Sequence, residues 1–255
     1  MAVKEIDINC DMGESFGDYS FGSDEKIFPY ITSCNVACGF HAGDPVHIEQ
    51  TLRQAKAHGV KIGAHPSYPD LKGFGRRYLK MAPAELYASV KYQISAIKGM
   101  AESMGMKLSY VKPHGALYHV VSDDESEAHT MLQAIRDIDD QLYVVGLAGS
   151  PMKSIADQAS IKFVSEAFAD RRYMPNGRLL PRTIPGAVLI APSEVAAQVV
   201  SLVMEQRVLD EKNEYLTVEA ETICLHSDHP KIHHIVKAID EALAERNIPK
   251  LAFSS

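Results

Sequence analysis

The chain has 255 residues, 46% hydrophobic and 23% charged, the balance of a globular protein and not of a disordered, collagenous or coiled-coil one. At this length folding buries roughly 72–75% of the accessible surface, enough for one core without disulfide or metal staples. With 33 acidic against 26 basic residues the formal net charge is -7, which argues against a nucleic-acid partner and against adhesion to an anionic membrane. The first residues, Met1 to Glu5, carry no apolar signal core, and no 18-residue apolar run occurs, so the cytoplasm is the expected address. Cys10, Cys34, Cys38 and Cys224 include no C-x-x-C pair and read as small buried hydrophobes. Cys34, Cys38 and His41 have the spacing C-x3-C-x2-H, outside the usual structural-zinc patterns.

Short apolar runs alternate with longer amphipathic stretches along the chain. The first run, Lys4 to Cys10, precedes a polar Gly-rich loop. The second, Asn35 to Phe40, leads to a helix over Pro45 to His58, with Asp44 as N-cap, Pro45 in the first turn and Gly59 as stop. Val60 to Ala64 is the third run, followed after a loop by a helix over Pro83 to Met104. Leu108 to Lys112 precedes a helix over Glu125 to Asp137, and Leu142 to Gly146 precedes a short one over Pro151 to Gln158. After the sixth run, Ile161 to Val164, the pair Asn176-Gly177 is a hairpin signal. A helix over Ser193 to Gln206, a strand over Thr222 to His226 and a helix over Pro230 to Arg246 complete the chain. No Pro/Gly/Ser-rich linker divides it, so one domain over 1–255 is expected.

Six or seven β-α units predict either a closed (β/α) barrel or a doubly wound sheet, and both place chemistry at the C-terminal ends of the strands. The polar residues cluster there. Asn9, Asp11 and Glu14 follow the first run, His41 and Asp44 the second, and His65 the third, with the loop Ser67 to Arg77 behind it. Lys112 and His114 follow the fourth, Glu166, Asp170 and Arg171 the sixth, and His226 and Asp228 the last. Singly, each has an ordinary reading: a turn cap for the acids, a structural imidazole for the histidines, a surface position for Lys112. Jointly they read as a proton-transfer site. Arg76 and Arg77, in Gly73 to Arg77, suit bidentate binding of carboxylate or phosphate, with a solvated loop as the ordinary reading. His47, His58, His119, His129, His229, His233 and His234 read as surface or capping residues. There is no G-x-x-x-x-G-K-[ST] loop, no G-x-G-x-x-G fingerprint and no G-x-S-x-G elbow. Acid-base or metal-assisted chemistry remains.

DINCDMGESFGDYSFGSDE, NVACGFHAGDP, GAHPSYPDLKGFGRR, VKPHGALY and EAFADRRY, in this order, resemble the LamB/YcsF family, that of 5-oxoprolinase A subunits, from about Glu5 to Pro230. The resemblance implies a distorted, seven-stranded (β/α) barrel related to the glycoside hydrolase/deacetylase group. It implies a cytoplasmic enzyme that opens 5-oxo-L-proline to L-glutamate at the expense of ATP, with Mg, together with B and C subunits. The implied route phosphorylates the amide oxygen, attacks the activated ring carbon with water and hydrolyses the resulting γ-glutamyl phosphate. Asp11, Glu14, His41, His65 and His114, with Glu166 and Asp170, are then the candidates for acid-base work. Asn9, Asp44, Arg76, Lys112, Arg171 and His226 are the candidates for holding substrate or an anion. By analogy with the related deacetylases, Asp11, His41 and His65 are candidate metal ligands. The chain departs from the family pattern at Ser227, where Gly is usual, and at His47 and His119, where Met and Asn are usual. Two further readings stand beside this one: a stand-alone metal-dependent amide hydrolase or deacetylase, and a non-catalytic subunit that binds substrate for its partners.

Overall fold

The computed structural model describes residues 5–20, 24–229 and 231–253. Six parallel strands, β1 (Asp7–Met12), β2 (Ser33–Ala37), β3 (Lys61–His65), β4 (Leu108–Val111), β5 (Tyr143–Leu147) and β6 (Phe163–Phe168), stand side by side in chain order. A small antiparallel pair, β7 (Arg207–Leu209) and β8 (Tyr215–Thr217), precedes β9 (Thr222–His226). Strand β9 pairs with both β6 and β1, setting His226 beside Asp11 and closing a seven-stranded barrel.

Parallel neighbours need crossovers, and the helices supply them. Helix α1 (Pro45–His58) starts where Asp44 Oδ1 accepts the backbone N–H groups of Val46 and His47 at 2.8 and 3.1 Å, and it ends at Gly59 with φ 66°. Helix α2 (Pro83–Ser103) buries Leu86, Val90, Ile94 and Ile97 against the barrel, each contributing roughly 1.5–3 kcal/mol relative to exposure. The others are α3 (Gly115–Asp123), α4 (Glu125–Ile138), α5 (Met152–Gln158), α6 (Pro192–Glu205) and α7 (Ile232–Ala244). No described helix is long and apolar enough to cross a membrane. All four cysteines are buried and unpaired.

The elements differ from the sequence reading in several places: β2 is Ser33–Ala37, and β6 is Phe163–Phe168, so Glu166 lies within the strand and not after it. Strand β1 runs on to Met12, so Asn9 and Asp11 lie within the strand and not in a loop after it. Helix α3 and the β7–β8 pair are additions. At Asn176-Gly177 there is a tight turn with one antiparallel bridge, Tyr173 to Leu179, and no extended hairpin. The expected element starts at Lys4 and Pro230 fall outside the described residues.

Barrel interiors of this kind are ordinarily layered with branched aliphatics. Here Ile8, Cys10, Met12, Val36 and Ile62 pack outward into the helix-facing core, and the inside is polar. Asp7, Asn9, Asp11, Ser33, Asn35, Lys112, Glu166 and Thr222 are all at most 4% exposed. At the N-terminal end Tyr110 lies flat over Gly63, where a Cβ would come within 2.1 Å of the ring. Its hydroxyl donates to Asn35 Oδ1 at 2.7 Å, and Val145, Val164 and Phe253 seal it from below.

Candidate active site

The buried polar chain starts at Asp7, which accepts from Ser33, Thr32 and Thr222. Above it Asn9 donates to Glu166 Oε1 at 3.0 Å and Thr222 Oγ1 at 2.7 Å, and accepts from Asn35 Nδ2 at 2.7 Å. Lys112 enters from β4's C-terminal end and donates to Asp11 Oδ1 at 3.0 Å, Glu166 Oε1 at 2.9 Å and Asn9 Oδ1 at 3.2 Å, with Cys224 Sγ at 2.9 Å. Burial opposes its charge, but Asp11 leads the groups that outweigh burial and hold Lys112 well above the ordinary lysine range. Asp11 shows the reverse: burial pushes its carboxyl up, and His65, Lys112 and His226 together hold it well below the usual range. Asp11 is therefore an anion and Lys112 a cation, committed to one another and unavailable to a ligand as free charges.

Three histidines gather above Asp11. His41 and His114 stack with centroids 3.7 Å apart and planes 6° apart, and His65 meets both edge-on. His65 Nδ1 donates to the Lys112 carbonyl at 2.7 Å, and His114 Nε2 donates to the Phe74 carbonyl at 2.9 Å. Carbonyls only accept, so these bonds fix both tautomers. The remaining nitrogens, His65 Nε2 and His114 Nδ1, face each other at 3.0 Å, with Asp11 Oδ2 3.3 Å from the first and Glu14 Oε1 3.6 Å from the second. Two lone pairs cannot face each other at that distance unaided. A shared proton or a bound cation satisfies them. Burial, followed by the neighbouring imidazoles, holds His41 and His114 well below the ordinary histidine range. Burial, followed by Asp11 and Asp228, pushes Glu14 well above the ordinary carboxylic range, so it is a proton donor 3.2 Å from His41 Nε2.

The donor set fits a metal. Nitrogen ligands at about 2.0–2.1 Å around a tetrahedral ion sit about 3.3–3.4 Å apart, and the donor separations of 3.0, 3.2 and 3.6 Å bracket that value. Ligand atoms of Glu14, His41, His65 and His114 lie within 4.8 Å of one another, and Asp11, Cys224 and His226 form a second such group. His41 Nδ1 is buried without a hydrogen-bond partner. The trio expected from the sequence, Asp11, His41 and His65, is thus divided between two groups.

A pocket of about 420 Å³ opens over the C-terminal end of the barrel, and Asp11, His65, Lys112, His114 and His226 reach it. Asp170, one residue beyond the loop start after β6, takes His226 Nδ1 at 2.9 Å and turns Nε2 toward the pocket, 4.0 Å from Asp11 Oδ2. Burial works to raise Asp170, but His226 outweighs it and keeps the carboxyl below its usual range. Phe168, Leu179, Pro181 and Tyr118 supply apolar lining, and Arg171 and Arg182 line the same pocket.

Most of the residues expected at the site lie at one end of the fold, and their contacts differ. Glu14 and His41 stand behind the imidazoles that reach the pocket, and Asn9 and Glu166 support Lys112 from below. Asp44 is spent on the cap of α1, the Gly17 N–H and His47. Arg77 binds Asp70 and Arg76 binds Asp228, so the two guanidinium groups of that loop are paired. What the loop contributes is backbone. Gly75, at φ 64°, packs against His41 and His114, where an added Cβ would lie 2.8 Å from each, and its carbonyl accepts from Ala116 N at 2.8 Å. His229, read as a surface residue, is buried and donates to the Leu189 carbonyl at 3.0 Å. Arg182 lies in no motif, and Phe168, though within EAFADRRY, is an apolar residue with no expected role; neither is a sequence candidate.

The LamB/YcsF family profile matches residues 6–255. A 5-oxoprolinase A subunit from Acinetobacter baylyi is 46% identical over 248 residues, 97% of this chain and 98% of that protein. A solved lactam utilization protein from Thermus thermophilus, 40% identical, superposes with a TM-score of 0.92 over 98% of this chain and 100% of that one. The catalytic domain of a peptidoglycan N-acetylglucosamine deacetylase from Eubacterium rectale shares the fold at 13% identity, with a TM-score of 0.53 over 100% of this chain and 90% of that one.

Proposed function

The chain belongs to the LamB/YcsF family, and from that membership we propose that it is the A subunit of a 5-oxoprolinase. It opens the lactam ring of 5-oxo-L-proline to L-glutamate in an ATP-coupled reaction with B and C subunits. The carrying observation is the pocket floor, where an ionised Asp11, two imidazoles of fixed tautomer and the Asp170–His226 pair converge on one ligand-sized space. The names of the relatives support the substrate, and their designation as one subunit of an enzyme supports the existence of partners. ATP, with Mg, enters as co-substrate in the assembled complex.

Lactam opening needs a water proton removed and the ring nitrogen protonated. His114 Nδ1 and His65 Nε2 share the lone pairs that take up the first proton, with Asp11 stabilising the imidazolium that forms. His226 Nε2, oriented by Asp170, delivers a proton to the departing nitrogen. The proton taken from water returns to His226 by way of Asp11 Oδ2, 3.3 Å from His65 Nε2 and 4.0 Å from His226 Nε2, so the site ends as it began. Each well-placed transfer contributes typically about 10²–10⁴-fold. The test is glutamate formation from 5-oxoproline and ATP by the chain mixed with its B and C subunits, with His114→Ala as the diagnostic variant. Loss of activity supports the assignment; full activity of His114→Ala sinks it.

A second reading, metal-dependent amide hydrolysis, is favoured by the facing nitrogens of His65 and His114. Glu14, His41, His65 and His114 would hold a divalent ion, which when bound polarises an amide carbonyl as a Lewis acid. The chain equilibrated with zinc and desalted then retains about one ion, and His114→Ala retains none. Elemental analysis finding no metal in the unmodified chain eliminates this reading.

A further inference from the structure

Four cationic side chains reach the pocket, and they are not equivalent. Lys112 is neutralised by Asp11 and Glu166, and Arg76 by Asp228 at 2.7 Å. Arg171 and Arg182 have no carboxylate within ion-pair distance among the described residues, and both line the pocket that His65, His114 and His226 also reach. The neighbouring arginines are drawn elsewhere, Arg178 to Asp123 and Arg172 to Glu194.

Arg171 is 4% exposed, donates one Nη2 bond to the Leu180 carbonyl at 2.5 Å, and leaves Nε buried without a partner. A buried guanidinium with an unmade bond is costly unless something completes it. Asp170, its sequence neighbour, does not, because that carboxylate is taken by His226. Phe168, Leu179 and Pro181 line the same pocket, with Phe168 stacked on His226, and supply apolar surface suited to ring methylenes.

We propose that Arg171 and Arg182 form a carboxylate subsite that anchors the substrate's α-carboxylate, so that the lactam amide lies over Asp11, His65 and His114. This rests on the 5-oxoprolinase reading for the identity of the substrate; the anion subsite itself rests on the arginines alone. It moves the anchoring role away from Lys112 and Arg76, which the sequence also offers for it. Arg182 becomes a specificity-determining residue: a lactam without the carboxylate leaves both guanidinium groups uncompensated.

His119 gives the subsite a built-in reporter. Its imidazole, exposed at the pocket mouth, is held below the ordinary histidine range by partial desolvation and by the charges of Arg171, Arg182 and Arg178. An anion seated between the arginines cancels that repulsion and moves the titration of His119 upward.

The experiment has two arms. In the first, the isolated chain is titrated with acetate, 5-oxoproline, 2-pyrrolidone and inorganic phosphate while the His119 ring is followed by NMR. Acetate and 5-oxoproline raise the His119 midpoint, 2-pyrrolidone does not, and Arg182→Gln abolishes the response. No response to either carboxylate overturns the subsite, and a response to phosphate alone reassigns it to a phosphoryl group and overturns the carboxylate assignment. In the second arm, the complete A, B and C assembly turns over 5-oxoproline. Arg182→Gln and Arg171→Gln raise KM roughly 10–100-fold, as loss of a charged hydrogen bond predicts, with kcat changed little; an unchanged KM in Arg182→Gln contradicts the proposal. Arg182→Gln is the decisive variant because Arg171 also ties down the Leu180 loop. If the unmodified assembly makes no glutamate, the activity reading fails, while the acetate titration still decides the subsite.

Discussion

Replacing Lys112 with methionine removes the cation inside the barrel that contacts both Asp11 and Glu166. Methionine keeps the length and apolar bulk of the stem, so little of the effect is cavity formation. Breaking a buried ion pair from one side costs about 3–5 kcal/mol, because the abandoned carboxylates stay out of water. For a chain of this size that corresponds to a fall in Tm of roughly 6–20 °C. The pH dependence identifies the cause. In the unmodified protein Asp11 is held well below its ordinary value, so its stabilisation is complete above the unfolded-state value of 3.8 and disappears as pH falls through the lower folded value. Without Lys112 burial acts on Asp11 with less opposition, and its carboxyl is expected to bind protons more tightly folded than unfolded. Stability of Lys112→Met then declines as pH rises from about 4 toward 8. Adding Glu166→Gln recovers part of the loss, a positive coupling measurable in a double-mutant cycle by urea denaturation. A Lys112→Met protein that melts within 2–3 °C of the unmodified one at pH 8 (under about 1 kcal/mol), with a flat pH profile, would refute the charge assignment inside the barrel.

Asp170→Asn is expected to lower kcat by about 10²–10⁴-fold with little change in KM, because His226 loses the acceptor that fixes its tautomer; steady-state kinetics at unchanged kcat would contradict this. Gly75→Ala pushes a Cβ to 2.8 Å from both His41 and His114 at φ 64°, and the displaced imidazoles are expected to reduce kcat by about 10²-fold. Its Tm checks that the fold survives. Glu14 carries the opposite pH signature to Asp11: with a folded value raised well above 4.5, the protein loses stability as pH rises from that unfolded value toward the folded one. Glu14→Gln removes this loss, so the variant gains on the unmodified protein between pH 5 and pH 8 in chemical denaturation; a constant gap argues that Glu14 is ionised.

The barrel is legible because its strands are continuous β-type runs with turn signals at both ends, and because Asp44-Pro45 and Gly59 bracket α1. Helix α3 escapes a sequence reading because it opens on His114-Gly115, with Gly115 at φ 57° and no side-chain cap, and runs into the Asp124 cap of α4. The β7–β8 pair has three residues per strand, too few for a period to show. Within the site, the alternation Asp7, Asn9, Asp11 marks one face of β1, but depth along the barrel decides function. Asp7 and Asn9 are structural, while Asp11, one pleat higher, reaches the pocket. Lys112 gives no sign from sequence of whether it faces water or the interior, since only the closure of β9 onto β1 brings its partners around it. Arg182 follows a proline in an irregular loop, where no spacing announces which wall the side chain joins.

The most direct measurement of the proposed ring opening is single-turnover glutamate release from 5-oxoproline and ATP by the chain assembled with the proposed B and C subunits, comparing the unmodified chain with Asp11→Asn. The account predicts that release requires this chain and that Asp11→Asn, folded by its Tm, loses at least about 10²-fold in rate. Release at an undiminished rate by the Asp11→Asn assembly, or by the B and C subunits alone, would contradict it.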